Sequence, residues 1–382
     1  MQVSPVLAST GVYPFVRLEQ AKRRLVEQGV ELIDFGKGDP QEPTELLIRR
    51  ALVDSIHETM GYPLAEGLPE LREAVARWCE RRFGVRLDPE REVIPTYGSK
   101  EAIFSLAQLV VDPQGERRLV LTTEPGYPVY DRGALFAGAE VQQLPLLERN
   151  GFLPDLEAVE PETWRRAAIL WLNYPNNPTG AVAPLEFLAR AAALAREHDF
   201  LLAADEAYTE LWFNEPPHSL LETGALDHFA VFNTLSKRSS MTGYRSGFVA
   251  AGADLVDALK QYRPTVGTAP QEFVQRASVA AWADEEHVAR TRERYAHKRR
   301  VLLDVLERKG IRIAGSEATM YLWLEAPPGE SAEELAARLL EHGLIVSPGT
   351  FFGPSGDGYW RLALVPTLEE CRRAAEILEA VL

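Results

Sequence analysis

Cysteine is nearly absent from the chain, and long apolar runs are missing altogether. Cys79 and Cys371 are the only two cysteines in 382 residues, and no CxxC spacing occurs. This pattern argues against a disulfide framework or a zinc site and favours a reducing compartment. No apolar run approaches the roughly 18 residues of a membrane span, and the N-terminus lacks a signal-peptide pattern. We therefore expect a cytoplasmic protein without membrane segments and without a bound metal.

Positive charge is also scarce. The 41 lysines and arginines are outnumbered by 56 aspartates and glutamates, which gives a formal net charge of −15. An acidic surface repels nucleic-acid backbones and anionic lipid, so neither is expected as a partner. Because 46% of the residues are hydrophobic, the chain can fill a sizeable core, and we expect a folded protein.

Short apolar runs alternate with helical stretches in the middle of the chain. The helical pattern LEFLARAAALAREHD, for example, lies between two strand-like runs that end at polar or turn residues. Strands that are buried on both faces have this near-continuous apolar character, so the sequence predicts an α/β fold with a mostly parallel or mixed, covered sheet. The strand candidates are AILWLN, FLLAAD, FAVFNT and GFVAAG.

The C-terminal third has a different character. One long, charged, amphipathic helix is predicted from about Glu285 to Gly310, and shorter strands and helices follow it. The segment before Pro43 has too few periodic residues to fold alone and should pack as an arm against the rest of the molecule or a partner subunit. We predict three parts: 1–44, an arm with part of a small domain; 45–285, a large domain; and 286–382, a small C-terminal domain.

Polar residues follow the predicted strands at the point where each strand ends. Asn177, then Asp205 with Tyr208, and then Lys237 come after three successive strands. Ligands of open α/β sheets gather at the carboxyl ends of the strands, so these residues are expected to form one site. Taken singly, each has an ordinary explanation, such as a surface lysine or a buried salt bridge.

Lys237 and Asp205 have the most specific chemistry of this group. Lys237 is one of seven lysines and follows an apolar strand, where partial desolvation and nearby cations would lower its pKa and make it an amine nucleophile. Asp205 closes an apolar strand, and a buried carboxylate needs a cationic or protonated partner. That partner is either a salt bridge or a protonated heterocyclic nitrogen.

An anion-binding site is predicted at the start of the helix in YGSKEAIFSLAQLVV. Gly98 and Ser99 precede the helix, so the backbone N–H groups of Ser99 and Lys100 would point towards an anion. The Walker A pattern is absent, and an ordinary N-capped helix would look the same in the sequence. Further donors in the loop around Lys237 are Thr234, Ser236 and Arg245.

Together these features are what pyridoxal 5′-phosphate (PLP) requires. The cofactor needs a lysine for a Schiff base, a carboxylate that keeps its ring nitrogen protonated, and a cup for its phosphate. A tyrosine in EPGYPVY is available beside them. The sequence therefore predicts a PLP enzyme with Lys237 as its catalytic residue.

The sequence resembles the class I/II, fold type I PLP-dependent aminotransferases over nearly its whole length. The resemblance implies a large PLP-binding domain with a mixed, mostly parallel seven-stranded sheet covered by helices, and a smaller α+β domain. It also implies a ping-pong exchange of an amino group between an L-amino acid and a 2-oxo acid. The ordered motifs that carry it are GKGDP (36–40), YPLAEGLPELREAVA (from 62), YGSKEA (97–102), EPGYPVY (124–130), NYPNNPTG (173–180), DEAY (205–208), SKRSSMTGYRSGF (from 236) and YWRLAL (359–364).

The resemblance implies cofactor contacts for individual residues. Lys237 would bind the cofactor covalently and move the proton of the reaction, Asp205 would pair with the ring nitrogen, and Tyr127 would stack on the ring. Asn177 and Tyr208 would hydrogen-bond the phenolic oxygen. The phosphate would be held by Ser99, Lys100 (through its backbone N–H), Thr234, Ser236 and Arg245.

The resemblance further implies a homodimer with shared active sites. Tyr62 would reach the phosphate bound by the neighbouring subunit. Arg361 would grip the substrate α-carboxylate in a bidentate fork, together with Asn177 and the backbone of Gly38.

A narrower resemblance bears on the substrate. VQRASVAAWADEEHV is similar to the corresponding stretch of N-succinyl-diaminopimelate aminotransferases of bacterial lysine biosynthesis, which use glutamate and 2-oxoglutarate. The distal carboxylates of such substrates would need a cation, for which Arg263 is the first candidate and Arg17 the second. Arg263 is equally well explained as an interface or surface arginine. LL-diaminopimelate, aspartate and alanine-type aminotransferases remain alternatives.

Other classes of protein fit the sequence less well. A PLP-dependent C–S lyase or decarboxylase would use the same lysine and aspartate, and pyruvate release without an oxo-acid acceptor would identify the lyase. A regulator built from an aminotransferase-like domain and a DNA-binding module is disfavoured by the net charge of −15. The patterns GxGxxG after a strand, GxSxG and HExxH do not occur, which leaves dehydrogenase, serine-hydrolase and zinc-protease functions without support.

Overall fold

The computed structural model describes residues 3–9, 22–23, 25–27 and 29–382. Within them the strands are β1 (Ile33–Asp34), β2 (Val93–Thr96), β3 (Leu119–Glu124), β4 (Glu140–Pro145), β5 (Ala167–Asn173), β6 (Leu201–Asp205), β7 (Phe229–Thr234), β8 (Gly247–Ala251), β9 (Ile313–Gly315), β10 (Tyr321–Glu325), β11 (Leu344–Ile345), β12 (Ser347–Pro348) and β13 (Tyr359–Ala363). The α-helices are α1 (Pro5–Ser9), α2 (Leu46–Val53), α3 (Pro69–Phe83), α4 (Ser99–Val110), α5 (Val129–Phe136), α6 (Pro161–Arg166), α7 (Leu185–His198), α8 (Leu235–Arg238), α9 (Ala253–Val266), α10 (Glu272–Ala283), α11 (Glu286–Arg308), α12 (Ala332–Glu341) and α13 (Leu368–Val381).

A seven-stranded sheet forms the centre of the molecule. Its strand order is β2-β8-β7-β6-β5-β3-β4. Strand β8 runs antiparallel to both β2 and β7, whereas β7, β6, β5, β3 and β4 are parallel to one another. The predicted mixed, mostly parallel sheet is therefore confirmed.

Both faces of this sheet are buried, as the apolar runs predicted. Successive residues of a strand point to opposite faces, and along β5 they enter two different hydrophobic clusters. Leu170 and Leu172 pack in one cluster, while Ile169 and Trp171 pack in the other. All seven residues of β5 are buried. Because the faces are covered, only the strand ends and the loops beyond them are open to a ligand.

A smaller, antiparallel sheet of four strands lies in the C-terminal third. Its order is β12-β13-β10-β9, and it has a hydrophobic core of its own. Helices α12 and α13 pack in that core, and each begins with a capping box, formed by Ser331 with Glu334 and by Thr367 with Glu370. Each box satisfies N–H groups that a helix start leaves without intrahelical partners.

The long helix predicted in this part of the chain is present as α11, and Gly310, with φ 71°, follows its end. A left-handed residue beyond the last turn is a common way to end a helix, and glycine adopts it without steric cost.

The described N-terminal residues join the C-terminal third. Strand β1 pairs in parallel with β11, so that Ile33 and Asp34 lie beside Leu344 and Ile345. The N–H of Ala363 donates to the carbonyl of Phe35 at 2.9 Å. This packing agrees with an N-terminal segment that does not fold alone, but the domain limits at 44/45 and 285/286 stay predictions.

No α-helix among the described residues combines the length and apolarity needed to span a membrane. The same residues contain no cluster of metal-ligating side chains.

Candidate active site

A cavity of about 510 Å³ opens where the two sheets meet. One wall is formed at the carboxyl ends of β5, β6 and β7, and the other by residues 37–39 with Tyr321 of β10 and Arg361 of β13. The structure brings most of the predicted site residues into its lining. They are Gly38, Ser99, Lys100, Tyr127, Asn177, Asp205, Tyr208, Thr234, Ser236, Lys237, Arg245 and Arg361.

Lys237 is carried by α8, a single turn that starts directly after β7. Thr234 caps this turn, since its Oγ1 accepts a hydrogen bond from the N–H of Ser236 at 3.1 Å. The ammonium of Lys237 donates to the carbonyl of Gly38 across the cavity. The pKa of Lys237 is lowered to about 8, first by burial and then by the positive charge of Arg361, while the carboxylate of Asp39 opposes the shift. Near neutral pH a fraction of this amine is therefore uncharged and nucleophilic.

Asp205 lies at the end of β6 and is buried. The hydroxyl of Tyr130 donates to its Oδ2 at 2.7 Å, and the N–H of Ala207 donates to its Oδ1 at 3.2 Å. Burial raises the pKa of Asp205 to about 6, against the effect of these hydrogen bonds and of the Lys237 charge. A protonated heterocyclic nitrogen in the cavity would provide the cationic partner that keeps this carboxylate ionised.

Hydrogen-bond donors for an anion gather at the start of α4. Gly98 has φ 68°, and a Cβ at this position would lie 2.3 Å from Nη2 of Arg245. Any side chain there would displace the guanidinium, so glycine allows Arg245 to approach the helix start. Arg245 is held by donating from Nη1 to the carbonyl of Thr242 at 2.8 Å. The ammonium of Lys100 lies 5.5 Å from the centroid of the Tyr127 ring, and burial lowers the pKa of Lys100.

Arg361 dominates the opposite wall. Its Nη1 donates to Oδ1 of Asn177 at 2.8 Å, and its Nη2 donates to the carbonyl of Gly36 at 2.6 Å. The guanidinium carbon also lies 4.2 Å from the centroid of the Tyr321 ring and 4.4 Å from that of Phe352. Packing between two rings and two oxygen acceptors fixes the planar fork, as recognition of a carboxylate requires.

The backbone of residue 38 has to be close to Tyr321. A Cβ at Gly38 would lie 2.0 Å from the hydroxyl of Tyr321, which itself hydrogen-bonds the hydroxyl of Tyr208 at 2.9 Å. Glycine therefore permits the close approach through which residues 37–39 close the cavity.

Arg263 corrects one sequence-based expectation, because its side chain does not line the cavity. The guanidinium is buried beneath the α4 start, where Nη1 donates to the carbonyls of Ala65 and Pro95 at 2.7 and 2.6 Å, and Nη2 to Glu101 at 3.1 Å. Its donors are directed at groups of its own chain, and a substrate carboxylate in the cavity cannot reach them. Arg17, the second candidate, lies outside the described residues.

Tyr62 is fully exposed and contributes nothing to the cavity of its own chain. Its expected contact is with a neighbouring subunit, so that expectation stays a prediction.

The sequence analysis missed several residues in or beside the cavity. Asn173, Tyr321, Lys37 and Asp39 line it, whereas Tyr130 does not line it and contacts Asp205. Tyr130 and Asn173 stand inside the motifs EPGYPVY and NYPNNPTG, which offered a signal for them. Asn173 donates from Nδ2 to the carbonyl of Asp205 at 2.8 Å and so ties β5 to β6 at the site. Tyr321 lies within an apolar strand, where the sequence offered no signal. In the motif GKGDP only Gly38 was selected, and its neighbours Lys37 and Asp39 were not.

The side chains in the cavity fit PLP by their chemistry. A lysine amine with a lowered pKa, a buried carboxyl group whose side-chain oxygens accept from Tyr130 and Ala207, and an anion site at a helix start face the same space. These three groups correspond to the aldehyde carbon, the ring nitrogen and the phosphate of the cofactor.

The chain belongs to the class I and II aminotransferase family, whose model matches residues 30–378. It is 38% identical to LL-diaminopimelate aminotransferase 2 of Trichormus variabilis over 386 aligned positions, covering 99% of this chain and 98% of the relative. A solved structure titled as a probable N-succinyldiaminopimelate aminotransferase from Thermus thermophilus is 35% identical, with a TM-score of 0.89 and coverage of 96% and 100%. Aspartate aminotransferase from Thermus thermophilus with maleate is 31% identical over the full length of both chains, with a TM-score of 0.91.

The protein is accordingly a PLP-dependent aminotransferase that acts on amino acids and 2-oxo acids. When bound, PLP supplies an electron sink for the negative charge that develops at the Cα of the substrate. The predicted fold type and cofactor are confirmed.

Proposed function

We propose that this aminotransferase moves the amino group between LL-diaminopimelate and a 2-oxo acid, with 2-oxoglutarate and glutamate as the second pair, and so serves lysine biosynthesis. Lys37 and Asp39, which carry opposite charges, flank Gly38 and both line the cavity. The far end of LL-diaminopimelate carries both a carboxylate and an ammonium group. A wall with one cation and one anion complements that pair of charges better than a purely cationic wall would.

The relatives support the same substrate class. LL-diaminopimelate aminotransferases of several bacteria are 37–41% identical to this chain and are matched over at least 92% of their length. Relatives at this identity support diaminopimelate-type substrates as a class. The opposite charges of residues 37 and 39 favour the free diamine over its N-succinylated form.

In this proposal one wall of the cavity binds the cofactor and the other binds the substrate. Lys237 attaches the cofactor covalently and afterwards carries a proton to and from the substrate Cα as a general base. Asp205 keeps the ring nitrogen of the cofactor protonated, and Tyr127 packs against the ring. Arg361 holds the substrate α-carboxylate, with the backbone of Gly38 beside it.

The remaining roles concern the two oxygen-bearing ends of the cofactor. Asn177 and Tyr208 would donate to its phenolic oxygen. The donors for the phosphate would be the N–H groups of Ser99 and Lys100 together with Thr234, Ser236 and Arg245.

N-succinyl-LL-diaminopimelate is the second candidate, favoured by the likeness to the Thermus thermophilus structure of that title. Its acylated far end carries carboxylates and no ammonium group. The two candidates therefore differ in what they require of Asp39, because only the free diamine has a positive charge for this carboxylate to meet.

The test compares amino donors with Lys37→Met and Asp39→Asn variants. The absorption spectrum of the holoenzyme is followed after each donor is added without an acceptor, and the loss of the yellow band gives the rate of the first half-reaction. For LL-diaminopimelate we expect both variants to raise the KM about tenfold, which corresponds to about 1.4 kcal/mol for one lost charge contact. For alanine, which has no far end, neither variant should change the KM. Lys309→Met, an exposed lysine remote from the cavity, is the control.

Three outcomes would contradict the proposal. A wild-type preference for the N-succinylated donor, with a KM that depends on Lys37 but not on Asp39, would favour the second candidate. A preference for aspartate would remove diaminopimelate from the proposal. Release of pyruvate from a thioether amino acid without any oxo-acid acceptor would identify a C–S lyase.

We further propose that the protein is a homodimer in which Tyr62 completes the site of the partner. Exposed apolar side chains are frequent in the segment around this residue, and a concentration of such side chains is typical of interfaces. They are those of Val53, Ile56, Met60, Tyr62 and Leu64. Sedimentation should show a dimer. Tyr62→Phe should weaken PLP binding but leave the dimer intact, since only the hydroxyl contact with the cofactor is lost. A monomer that binds PLP with full affinity would overturn both statements.

A further inference from the structure

The two residues that follow Lys237 are both buried and both bonded to one segment. Arg238 and Ser239 are 1% and 2% exposed, and their side chains contact residues 281–287, which join α10 to α11. No function described above uses either residue. Both residues directly follow Lys237, so their contacts with this segment restrain the backbone that carries the lysine.

Arg238 is held from three sides. Its Nη1 donates to the carbonyl of Ala281 at 2.7 Å, and its Nη2 donates to Oε1 of Glu285 at 2.8 Å. The guanidinium carbon lies 5.0 Å from the centroid of the Trp282 ring and 5.8 Å from that of Trp78. The guanidinium is desolvated, and contacts with aromatic rings and with fixed hydrogen-bond acceptors replace its hydration. Arginine suits this arrangement better than lysine, because its planar group can stack on rings and donate several hydrogen bonds.

Ser239 makes the second connection. Its Oγ lies 2.8 Å from Nε2 of His287, and Nδ1 of the same ring lies 2.6 Å from Oδ2 of Asp284. With Asp284 accepting from Nδ1–H, Nε2 is the acceptor and the Ser239 hydroxyl donates to it. The order serine, histidine, aspartate is that of a hydrolase triad, but none of these residues lines the cavity, so Ser239 has no access to a substrate.

The connection matters because α8 is too short to be stable alone. It has four residues, which is one turn, and isolated helices of this length do not form in water. Thr234 caps the start of the turn, and the hydrogen bonds of Arg238 and Ser239 anchor its end. Lys237 lies between the two anchors, and a reacting group displaced by about 1 Å can lose about 100-fold in rate.

We propose that Arg238 and Ser239 are positioning residues, which clamp the turn carrying Lys237 to the α10–α11 junction through Glu285, His287 and Asp284. Through this clamp the position of α11, a helix of the C-terminal third, fixes the orientation of the lysine amine. The inference rests on the proposed role of Lys237 in catalysis.

The test uses Ser239→Ala, Arg238→Lys and Arg238→Met, with two readouts. The first is the labelling rate of Lys237 by an acylating reagent in the cofactor-free protein, measured across pH by mass spectrometry. The second is the first half-reaction of the holoenzyme, resolved into its maximal rate and the amino-acid concentration that gives half of it.

The labelling profile reports the pKa of Lys237 independently of what the lysine does in catalysis. The charged groups around the amine are Asp39, Arg361, Arg245, Lys100 and Asp205, and the variants leave all five in place. A loosened turn admits water, so we expect the pKa to rise from about 8 towards that of an exposed lysine, most in Arg238→Met and least in Arg238→Lys.

The half-reaction should lose maximal rate while substrate binding is kept, because Arg361 is untouched. We expect a fall of about 100-fold in Arg238→Met and about tenfold in Ser239→Ala, with half-saturation unchanged within about twofold and partial recovery in Arg238→Lys. Should Arg238→Met fail to fold, Ser239→Ala decides the question alone.

Arg338→Met is the control for loss of a hydrogen-bonded, half-buried arginine. Arg338 anchors α12 to the C-terminus by donating to the carbonyl of Val381 at 2.6 Å, and it does not line the cavity. The variant should lower the unfolding temperature without changing either readout. If Ser239→Ala and Arg238→Met behave like this control, the clamp is only structural and the inference is wrong. An active Lys237→Ala enzyme would instead refute the proposed function, and the labelling profile would still show whether the clamp positions the amine.

Discussion

The two walls of the cavity are built in different ways. The cofactor wall, formed by Asn173, Asp205, Thr234 and the turn carrying Lys237, consists of strand ends that lie side by side in one sheet. The substrate wall, formed by residues 37–39, Tyr321 and Arg361, has parts from opposite ends of the chain, and the bond from Arg361 to Gly36 spans 325 residues. One wall follows from the order of strands in a parallel sheet, and the other from the packing of two sheets.

This difference separates two kinds of chemistry. Groups on the cofactor wall have shifted proton affinities, with a lowered pKa at Lys237 and a raised pKa at Asp205. The substrate wall instead offers fixed charge, in Arg361, Lys37 and Asp39. Changes on the cofactor wall should therefore act mainly on rates and their pH dependence. Changes on the substrate wall should act mainly on substrate binding, although Arg361 and Asp39 also influence the pKa of Lys237.

Lys237 belongs to the cofactor wall and donates to Gly38 of the substrate wall. We expect its loss to reduce the transamination rate more than any other substitution. We expect Lys237→Ala to lower transamination by more than about 10³-fold, because both the covalent attachment and the general base are removed. The circular dichroism spectrum should stay that of the wild type. Lys260→Ala removes a lysine on α9, remote from the cavity, and should leave the rate unchanged. An active Lys237→Ala enzyme would refute the mechanism.

Arg361→Ala tests whether the substrate wall acts on binding. The KM should rise about 100-fold for every amino acid, since all share the α-carboxylate and the loss of a buried, hydrogen-bonded charge partner costs about 2–5 kcal/mol. The measurement is a set of initial rates with alanine, glutamate and diaminopimelate. A loss confined to dicarboxylic substrates would show that Arg361 meets a distal group instead.

Tyr130→Phe tests the cofactor wall through a residue that the sequence analysis did not select. Its hydroxyl lowers the pKa of Asp205, so the variant should raise that pKa and move the acid limb of the rate profile to higher pH. We expect a fall of about tenfold in maximal rate, in line with a hydrogen bond to a charged group. Tyr174→Phe removes an equally short bond, 2.7 Å to the carbonyl of Phe152, and serves as the control without effect on rate.

Glu206 lies behind the cofactor wall, and its effect should be confined to stability. Burial raises the pKa of Glu206 from an ordinary 4.5 to about 8. Below pH 4.5 the folded and unfolded states are both protonated. Between pH 4.5 and 8 the unfolded state has lost this proton while the folded state still holds it, so stability falls as the pH rises through this range. The free energy of unfolding should fall in this window with a slope of at most about 1.4 kcal/mol per pH unit from this group. Glu206→Gln should flatten the dependence, as measured by denaturant unfolding of the cofactor-free protein at pH 5, 6.5 and 8.

The control for that measurement is Glu376→Gln, an exposed position on α13. Its unfolding curves should follow those of the wild type at each pH. A Glu206→Gln protein with unchanged pH dependence would show that this carboxyl group is ionised in the folded state.

The sequence by itself determined the cofactor wall. Apolar runs that end at Asn, Asp and Lys predict parallel strands with polar ends, and parallel strands bring their carboxyl ends to one edge of a sheet. For this reason Asp205, Asn177 and Lys237 were identified together, and the ordered motifs gave the family, the cofactor and Arg361. The long helix α11 was predicted from its amphipathic pattern and its terminal glycine, and shorter helices were expected after it.

Tertiary structure decided what lies opposite that wall. The sequence left Arg263 either as a ligand for a distal carboxylate or as an interface or surface arginine. In the structure its buried guanidinium donates to Ala65, Pro95 and Glu101 instead. Tyr321 has no signal in its strand, and it reaches the cavity because β10 pairs with β13 beside residues 36–38. The clamp of Arg238 and Ser239 is equally invisible in sequence, because its acceptors lie more than 40 residues away. Local periodicity specifies which face of an element is buried, but which distant groups meet there depends on how the sheets and helices pack.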